Sequence, residues 1–368
     1  MSKKRYLITV TDNLSATSMP LNEFVLYRRS HFPEETQIVF LLFKTKADES
    51  VKIPGDIKVY SIGKNRKLLA EAMKDVEVRA KSEQASLVLH IHEAKSVLFF
   101  NLATWFKYRN RIVYTLHSTY KNYPLHNKVF CLGASMMSRK IVCVSNTSLK
   151  YYPKLLKRVL GDKVEAIPNG VDLERINRVR KDNKKTVDIR HFFTVIYVAR
   201  LVPLKRHKIL MDAIRYLPGV KMVFIGTGPL GSELQQYAKS IGIEKQVQFL
   251  GLMPREDVFR HLLDADLYVS SSSYEGLPVG VLEAMACGKP CLVSDIEQHR
   301  EIKAQVNSLF TCGESPVNWA EKLEVLMSMK PERLKEIGEA NRKGVMDNYS
   351  LKEMHRRYES VYDLCGIN

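Results

Sequence analysis

Nowhere in the 368 residues does an apolar run reach the ~18–20 residues that a membrane-spanning helix needs. No spanning segment is therefore expected. The start, MSKKRYLITV, passes from basic residues straight into a strand-like run, with neither a signal core nor a cleavage site. A cytoplasmic protein is expected. The six cysteines, 131, 143, 287, 291, 312 and 365, have no metal-type spacing with histidines. Buried free thiols in a reducing compartment are the expectation, and no metal site is expected. No Gly-x-Gly-x-x-Gly follows the first strand, which argues against a nicotinamide-dependent dehydrogenase. There is also no low-complexity tract and no short-period repeat, so arrays and linkers are excluded.

Acid is scarce in one half only. Residues 1–170 hold 28 Lys+Arg against 14 Asp+Glu, whereas residues 171–368 hold 29 against 26. The net charge of +17 thus sits almost wholly in the first half. A one-sided positive field suits an anionic surface, either nucleic acid or acidic lipid headgroups. No nucleic-acid motif accompanies the charge, so no nucleic-acid partner is expected. Segments 105–111 (WFKYRNR) and 150–163 (KYYPKLLKRVLGDK) mix basic and aromatic residues. They read equally as membrane-interface segments or as ordinary solvated helix faces.

What is present is alternation. Short apolar runs at 6–10, 39–43, 57–61, 87–92, 112–117 and 141–145 read as strands. Helical spacing falls between them, at 21–29, 64–80 and 97–106. The pattern resumes with strands at 192–198, 220–225, 247–250, 266–270 and 291–294. Segment 175–190 is highly charged without an apolar stripe and reads as an exposed excursion. An α/β chain with two doubly wound domains follows. Ligands in such sheets lie beyond the carboxyl ends of strands. Asn13, His92, Glu93, His117 and Ser145 fall there in the first half.

The second half is organised around residues 274–290, YEGLPVGVLEAMACGKP. A helix is predicted near 278–287, with Pro278 at its first position, Gly288 after its end and Pro290 as a stop. Glu275 lies in the preceding loop and Glu283 inside the helix. A helix start attracts phosphate, and carboxylates suit the hydroxyls of sugars. On spacing alone, a solvated Glu275 and a locally paired Glu283 fit as well. Other predicted strand ends carry Arg200 and Lys205, Gly226-Thr227-Gly228, and Gly251. Singly each is weak; together they point to a diphosphate sugar.

These same residues carry a resemblance. RLVPLK (200–205), FIGTGP (224–229), Gly251, Glu275-Gly-Leu-Pro with Glu283, and ACGKP (286–290) resemble the family-4 retaining glycosyltransferases of GT-B fold, of the bacterial polysaccharide type. PNGVD (168–172) is similar to that family's domain junction. The resemblance implies two Rossmann-like domains facing across a cleft. Residues 1–168 with a returning helix at 350–368 would bind the acceptor, and residues 169–349 the nucleotide sugar. It implies catalytic roles for Glu275, Lys205, Arg200 and His117. It implies donor contacts from Gly276, Leu277, Pro278, Val279, Glu283, Gly226, Thr227, Gly228 and Gly251.

Many relatives have a double glycine in the loop after the first strand. Here that loop has none, and Ser15 or Ala16 fills the place. His92 and Glu93 are candidates for the acceptor pocket, or plain cleft walls. The implied reaction is metal-independent and without a cofactor, with a UDP-linked sugar as donor. The implied acceptor is a sugar, glycolipid or lipid-linked hydroxyl. Attack would be from the front face, with no protein nucleophile. The basic first half would then meet the inner face of an anionic membrane. The alternatives are a nucleotide-sugar epimerase or other enzyme of this fold and, more remotely, a non-enzymatic nucleic-acid-binding protein.

Overall fold

The computed structural model describes residues 4–12, 14, 20–43, 53–183, 192–306 and 308–366. The chain forms two compact units, Met1–Pro168 with Met354–Asn368, and Asn169–Glu353.

The first unit has seven strands: β1 Arg5–Thr11, β2 Glu35–Leu41, β3 Lys58–Ser61, β4 Ser86–Ile91, β5 Ile112–Leu116, β6 Lys140–Cys143 and β7 Val164–Ala166. All pair in parallel in the order β3-β2-β1-β4-β5-β6-β7. The second unit has six: β8 Phe193–Val198, β9 Val220–Ile225, β10 Val247–Gly251, β11 Leu267–Ser270, β12 Cys291–Ser294 and β13 Phe310–Cys312. They too are parallel, in the order β10-β9-β8-β11-β12-β13. Near-continuous Val, Ile and Leu let the inner strands, such as β1, β5, β11 and β12, bury both faces, as a parallel sheet under helices requires, while edge strands β3 and β10 stay partly exposed. Strand order reverses direction between β1 and β4, and again between β8 and β11. Such switch points open a crevice at the carboxyl ends of the strands. The six cysteines are free and buried.

Three stretches differ from the sequence reading. The helix expected at 21–29 is a π-helix, Pro20–Leu26, followed by a short α-helix, Tyr27–His31. Its widening accommodates a dense aromatic cluster, in which Phe24 meets His90, His92, His355 and Tyr358. The helix expected at 97–106 is Ala94–Ala103, and Trp105 and Phe106 leave it in left-handed backbone, at φ 50° and 59°. Segment 175–190 is not all an excursion. A helix spans Leu173–Asp182 and buries Ile176 and Val179, while residues 184–191 lie outside the described residues. Two apolar residues three apart are one turn's worth of stripe, too little to read against so many charges.

The last helix, Leu351–Gly366, belongs to the first unit from Met354 onward. Met354, Tyr358, Val361 and Tyr362 are buried on one face, as their spacing predicts. Ser350 Oγ accepts from Glu353 N–H at 3.2 Å and caps the start. Polar groups then fix the helix on the first sheet. Tyr362 O–H meets His90 Nδ1 at 2.8 Å, and Tyr358 O–H meets Thr115 Oγ1 at 3.0 Å. Arg28, fully buried, pairs with Glu35 at 2.5 Å and with Glu359. Its Nη1 donates to His355 Nδ1 at 3.0 Å. Guanidinium cannot accept, so His355 Nε2 carries the proton and donates to the Glu23 carbonyl at 2.8 Å.

Candidate functional site

The loops after β8, β9 and β10 are stitched together by backbone. Ala199 N–H donates to Ile225 O at 2.9 Å, Leu201 N–H to Thr227 O at 2.9 Å, and Gly226 N–H to Gly251 O at 2.8 Å. This approach needs glycine. Gly226 has φ +135°, and a Cβ there would stand 2.1 Å from Ala199 O. At Gly228 a Cβ would stand 2.3 Å from Leu201 O. Beside these loops lies a cavity of about 360 Å³, lined by Leu201, Gly226, Thr227, Gly228, Phe249 and Gly251 among others. We expect Gly228→Ala to lower stability by about 1–3 kcal/mol, because its Cβ meets the Leu201 backbone. Thermal melting of the variant checks this.

Lys205 ends a single turn of 3₁₀ helix, Pro203–Lys205, held against the serines after β11. Ser271 Oγ donates to Lys205 O at 2.8 Å, and Ser273 N–H to Leu204 O at 2.8 Å. Arg206, left-handed at φ 48°, donates from Nε to Ser271 O at 2.8 Å. Ser272 Oγ and Tyr197 O–H lie 3.0 Å apart beneath them. The serine triplet, with Ser271 and Ser272 buried and Ser273 exposed, is thus a brace for the lysine turn. From that brace the Lys205 ammonium forms an ion pair with Glu275. Arg200 is exposed at the end of β8 and forms no ion pair among the described residues. His207, two residues beyond Lys205, is buried, and burial pulls its pKa down to about 4.

Gly276, Leu277 and Pro278 lead into the helix Val279–Ala286, where Pro278 occupies the capping position rather than the first turn. Its φ of −78° and ψ of 80° lie outside helix geometry. Gly288 follows the helix at φ +76°, as expected. Glu283 is buried and pairs with Arg255. Arg255 opens the helix Arg255–Asp264, four residues past Gly251. It went unread in the sequence. The available signal was a cation in the first turn of a helix, where the dipole disfavours it.

The chain also holds one Asp-x-Asp triplet, Asp264-Ala-Asp266. It precedes β11, at the amino end of the sheet, away from this site. Asp266 accepts from Thr194 N–H at 2.8 Å and Asp264 from Asn183 at 3.0 Å, so both are tied into the fold.

In the first unit, β1 and β4 end side by side at the switch point. His92 Nδ1 and His117 Nε2 lie 2.9 Å apart. Burial pulls the His117 pKa down to about 4 and holds His92 well below the ordinary histidine value. Glu93 accepts from Thr11 at 2.9 Å, while burial, with the negative charge of Asp12, pushes its pKa up to about 7. Asp12 accepts from Ser96 at 2.7 Å and pairs with Lys95 at 2.5 Å. His92 Nε2 and Glu93 Oε2 are buried without a hydrogen-bond partner among the described residues. Ser145 is spent locally, capping the helix Asn146–Lys150 by accepting from Ser148 N–H at 3.0 Å. Asn13, Ser15 and Ala16 lie outside the described residues.

Two parallel Rossmann-like units, one with a glycine-lined cavity and paired acid–base residues at its switch point, define an α/β protein of two doubly wound halves. Residues 179–344 match the description "Glycosyl transferases group 1", and residues 33–175 match "Glycosyltransferase Family 4". The chain belongs to the group 1 glycosyltransferases of GT-B fold. It is 28% identical over 228 residues to the Escherichia coli UDP-Gal:alpha-D-GlcNAc-diphosphoundecaprenol alpha-1,3-galactosyltransferase, covering 57% of this chain and 58% of that enzyme. The matched part is thus under two thirds of that relative's length. It is 25% identical over 306 residues to the N-acetyl-alpha-D-glucosaminyl L-malate synthase of Bacillus anthracis, covering 80% and 78% of the two chains. Its fold matches Anabaena Alr3699/HepE in complex with UDP and glucose, with a TM-score of 0.77, 17% identity, and 98% and 99% coverage.

Proposed function

We propose that this protein transfers a sugar from a UDP-linked donor to an acceptor hydroxyl, with retention of anomeric configuration, in polysaccharide or glycolipid assembly. The observation that carries this reading is the pair of ion pairs at the second sheet's strand ends, Lys205–Glu275 and Arg255–Glu283, beside the glycine-lined cavity. The cavity and the β9 loop receive the nucleotide. Glu283 accepts from the ribose diol. Lys205 and Arg200 meet the diphosphate, and Glu275 accepts from the hydroxyls of the sugar. A donor bound in this way exchanges each carboxylate's cation partner for hydroxyl donors and gives Lys205 a phosphate in return.

The chemistry needs charge stabilisation more than a nucleophile. The glycosidic bond to the diphosphate breaks, and negative charge grows on the leaving phosphate. Lys205, Arg200 and the start of helix Val279–Ala286 stabilise that charge. The acceptor oxygen attacks from the side the phosphate leaves, and the leaving phosphate takes its proton. Within the first unit, His117 with His92 beside it, and Glu93, are the candidate acceptor-side residues. The E. coli relative acts, by its name, on a diphosphate-linked lipid. A lipid-linked acceptor here would place the basic first unit at a membrane surface.

The test is a panel of nucleotide sugars offered to the purified protein with simple hexoside acceptors, the product anomer read by NMR. A UDP-sugar should be consumed with its configuration kept. Inversion, or isomerised nucleotide sugar without transfer, would favour another enzyme of the same fold.

A further inference from the structure

The helix Leu125–Met136 packs on the first sheet by one face and leaves an apolar stripe uncovered. Leu125, Val129, Leu132 and Met136 recur at four, three and four residues, so they form one line along the helix. All four are exposed, Leu125 by 79% and Val129 by 60%. The helix Ala94–Ala103 lies beside it. A Cβ on Gly133 would touch Leu98 at 3.4 Å, and Asn101 Nδ2 donates to Met137 O at 3.3 Å, so the carboxyl ends of the two helices meet. At that meeting the chain turns through left-handed Trp105 and Phe106, and Trp105 is 89% exposed. Bulky residues avoid this backbone region, and such strain gathers where function holds it.

The charge in this stretch of chain is nearly all of one sign, although Lys107 pairs with Glu77 from a neighbouring helix at 2.5 Å. Residues 94–163 hold 13 lysines and arginines and one acid, Asp162. Lys107, Arg109, Lys121, Lys150, Lys154 and Arg158 are all exposed. A second copy of the chain would bring the same positive charge against itself. Nucleic acid would use the charge but leave the leucine stripe uncovered. An anionic bilayer uses both, with apolar side chains entering the headgroup boundary and lysines meeting phosphate. Tryptophan is favoured at that boundary.

We infer that the stripe on Leu125–Met136, with the Trp105 tip, is the face by which the protein enters an anionic lipid surface. The inference rests on the membrane reading under Proposed function and names its surface. The stripe starts beside the carboxyl ends of β4 and β5, so a lipid-linked acceptor would lie along it toward His92 and His117.

The test uses vesicles of mixed phosphatidylglycerol and phosphatidylcholine, and of phosphatidylcholine alone. The chain has two tryptophans, and Trp319 is 1% exposed. Bromine-labelled lipid should therefore quench wild-type fluorescence and leave Trp105→Phe unquenched. Binding should need phosphatidylglycerol. It should also weaken as salt rises from about 0.1 M to about 1 M, where the screening length falls from about 10 Å to about 3 Å. Val129→Glu with Leu132→Glu should cut partitioning by about tenfold or more while the melting temperature holds. Absence of binding to acidic vesicles at low salt would overturn the inference. So would binding without quenching, or a lipid-free dimer dispersed by the double variant, or RNA binding lost in that variant. Vesicle binding by a protein that transfers no sugar would keep this face and reject the catalytic reading; transfer to a soluble acceptor without vesicle binding would do the reverse.

Discussion

Lys205→Ala and Glu275→Ala should each lose sugar transfer on the order of 10²–10³-fold in kcat. Both side chains sit on rigid supports. Lys205 is braced by Ser271 and Ser273, and Glu275 lies two residues past Ser273. They pair with each other while only 16% and 13% of their side-chain surface is exposed. Removing one leaves the other's charge poorly compensated, so each single variant should also melt earlier. Stability and catalysis can be separated. Lys205→Met combined with Glu275→Gln removes both charges and should recover most of the lost stability. It should remain inactive, because neither the diphosphate nor the sugar hydroxyls find their partner. Melting curves and single-turnover transfer rates on the three variants check this. Wild-type-like turnover in either alanine variant would reject the assignment.

Acid should unfold this protein early, between pH 6.5 and about 4. Six histidines, 90, 92, 117, 207, 299 and 355, have pKa values depressed by burial. Those of His117, His207 and His299 fall to about 4. In the unfolded chain each titrates near 6.5, so between those pH values the unfolded state binds more protons. Stability therefore falls as pH falls through that window. For the three that fall to about 4, each contributes on the order of 3 kcal/mol, against a total stability of roughly 5–15 kcal/mol. Glu93 acts in the opposite sense. Its pKa, raised from 4.5 to about 7, makes the folded state hold a proton that the unfolded state releases. It lowers stability as pH rises through that interval, and Glu93→Gln should remove this loss. Thermal melts from pH 8 to pH 4 on the wild type and on Glu93→Gln measure both slopes. A flat wild-type profile down to pH 4 would contradict the burial of these imidazoles.

The strands were legible because each is a short apolar run, and a parallel sheet needs nothing subtler. The donor-side residues were legible as a group because they all fall at strand ends of one unit. Their pairing was not. Arg255 reaches Glu283 across 28 positions, and no local pattern announces it. The Arg28–Glu35–Glu359 cluster joins the two ends of the chain across more than 300 positions and was likewise invisible. The helix Leu125–Met136 and its outward stripe went unread in the sequence. Periodicity gives a face but not which face the sheet covers. Trp105 and Phe106 read as helix because aromatics at that spacing usually are. Their left-handed backbone depends on Phe106 N–H reaching back to Asn101 O at 2.8 Å.

The central claim is that the second unit binds a nucleoside diphosphate, with Glu283 on the ribose diol and Lys205 with Arg200 on the diphosphate. Titration calorimetry with UDP, UMP and 2′,3′-dideoxy-UDP measures this directly. UDP should bind, and loss of the β-phosphate or of the diol should each weaken binding about tenfold or more. Equal binding of all three, or of none, would contradict it.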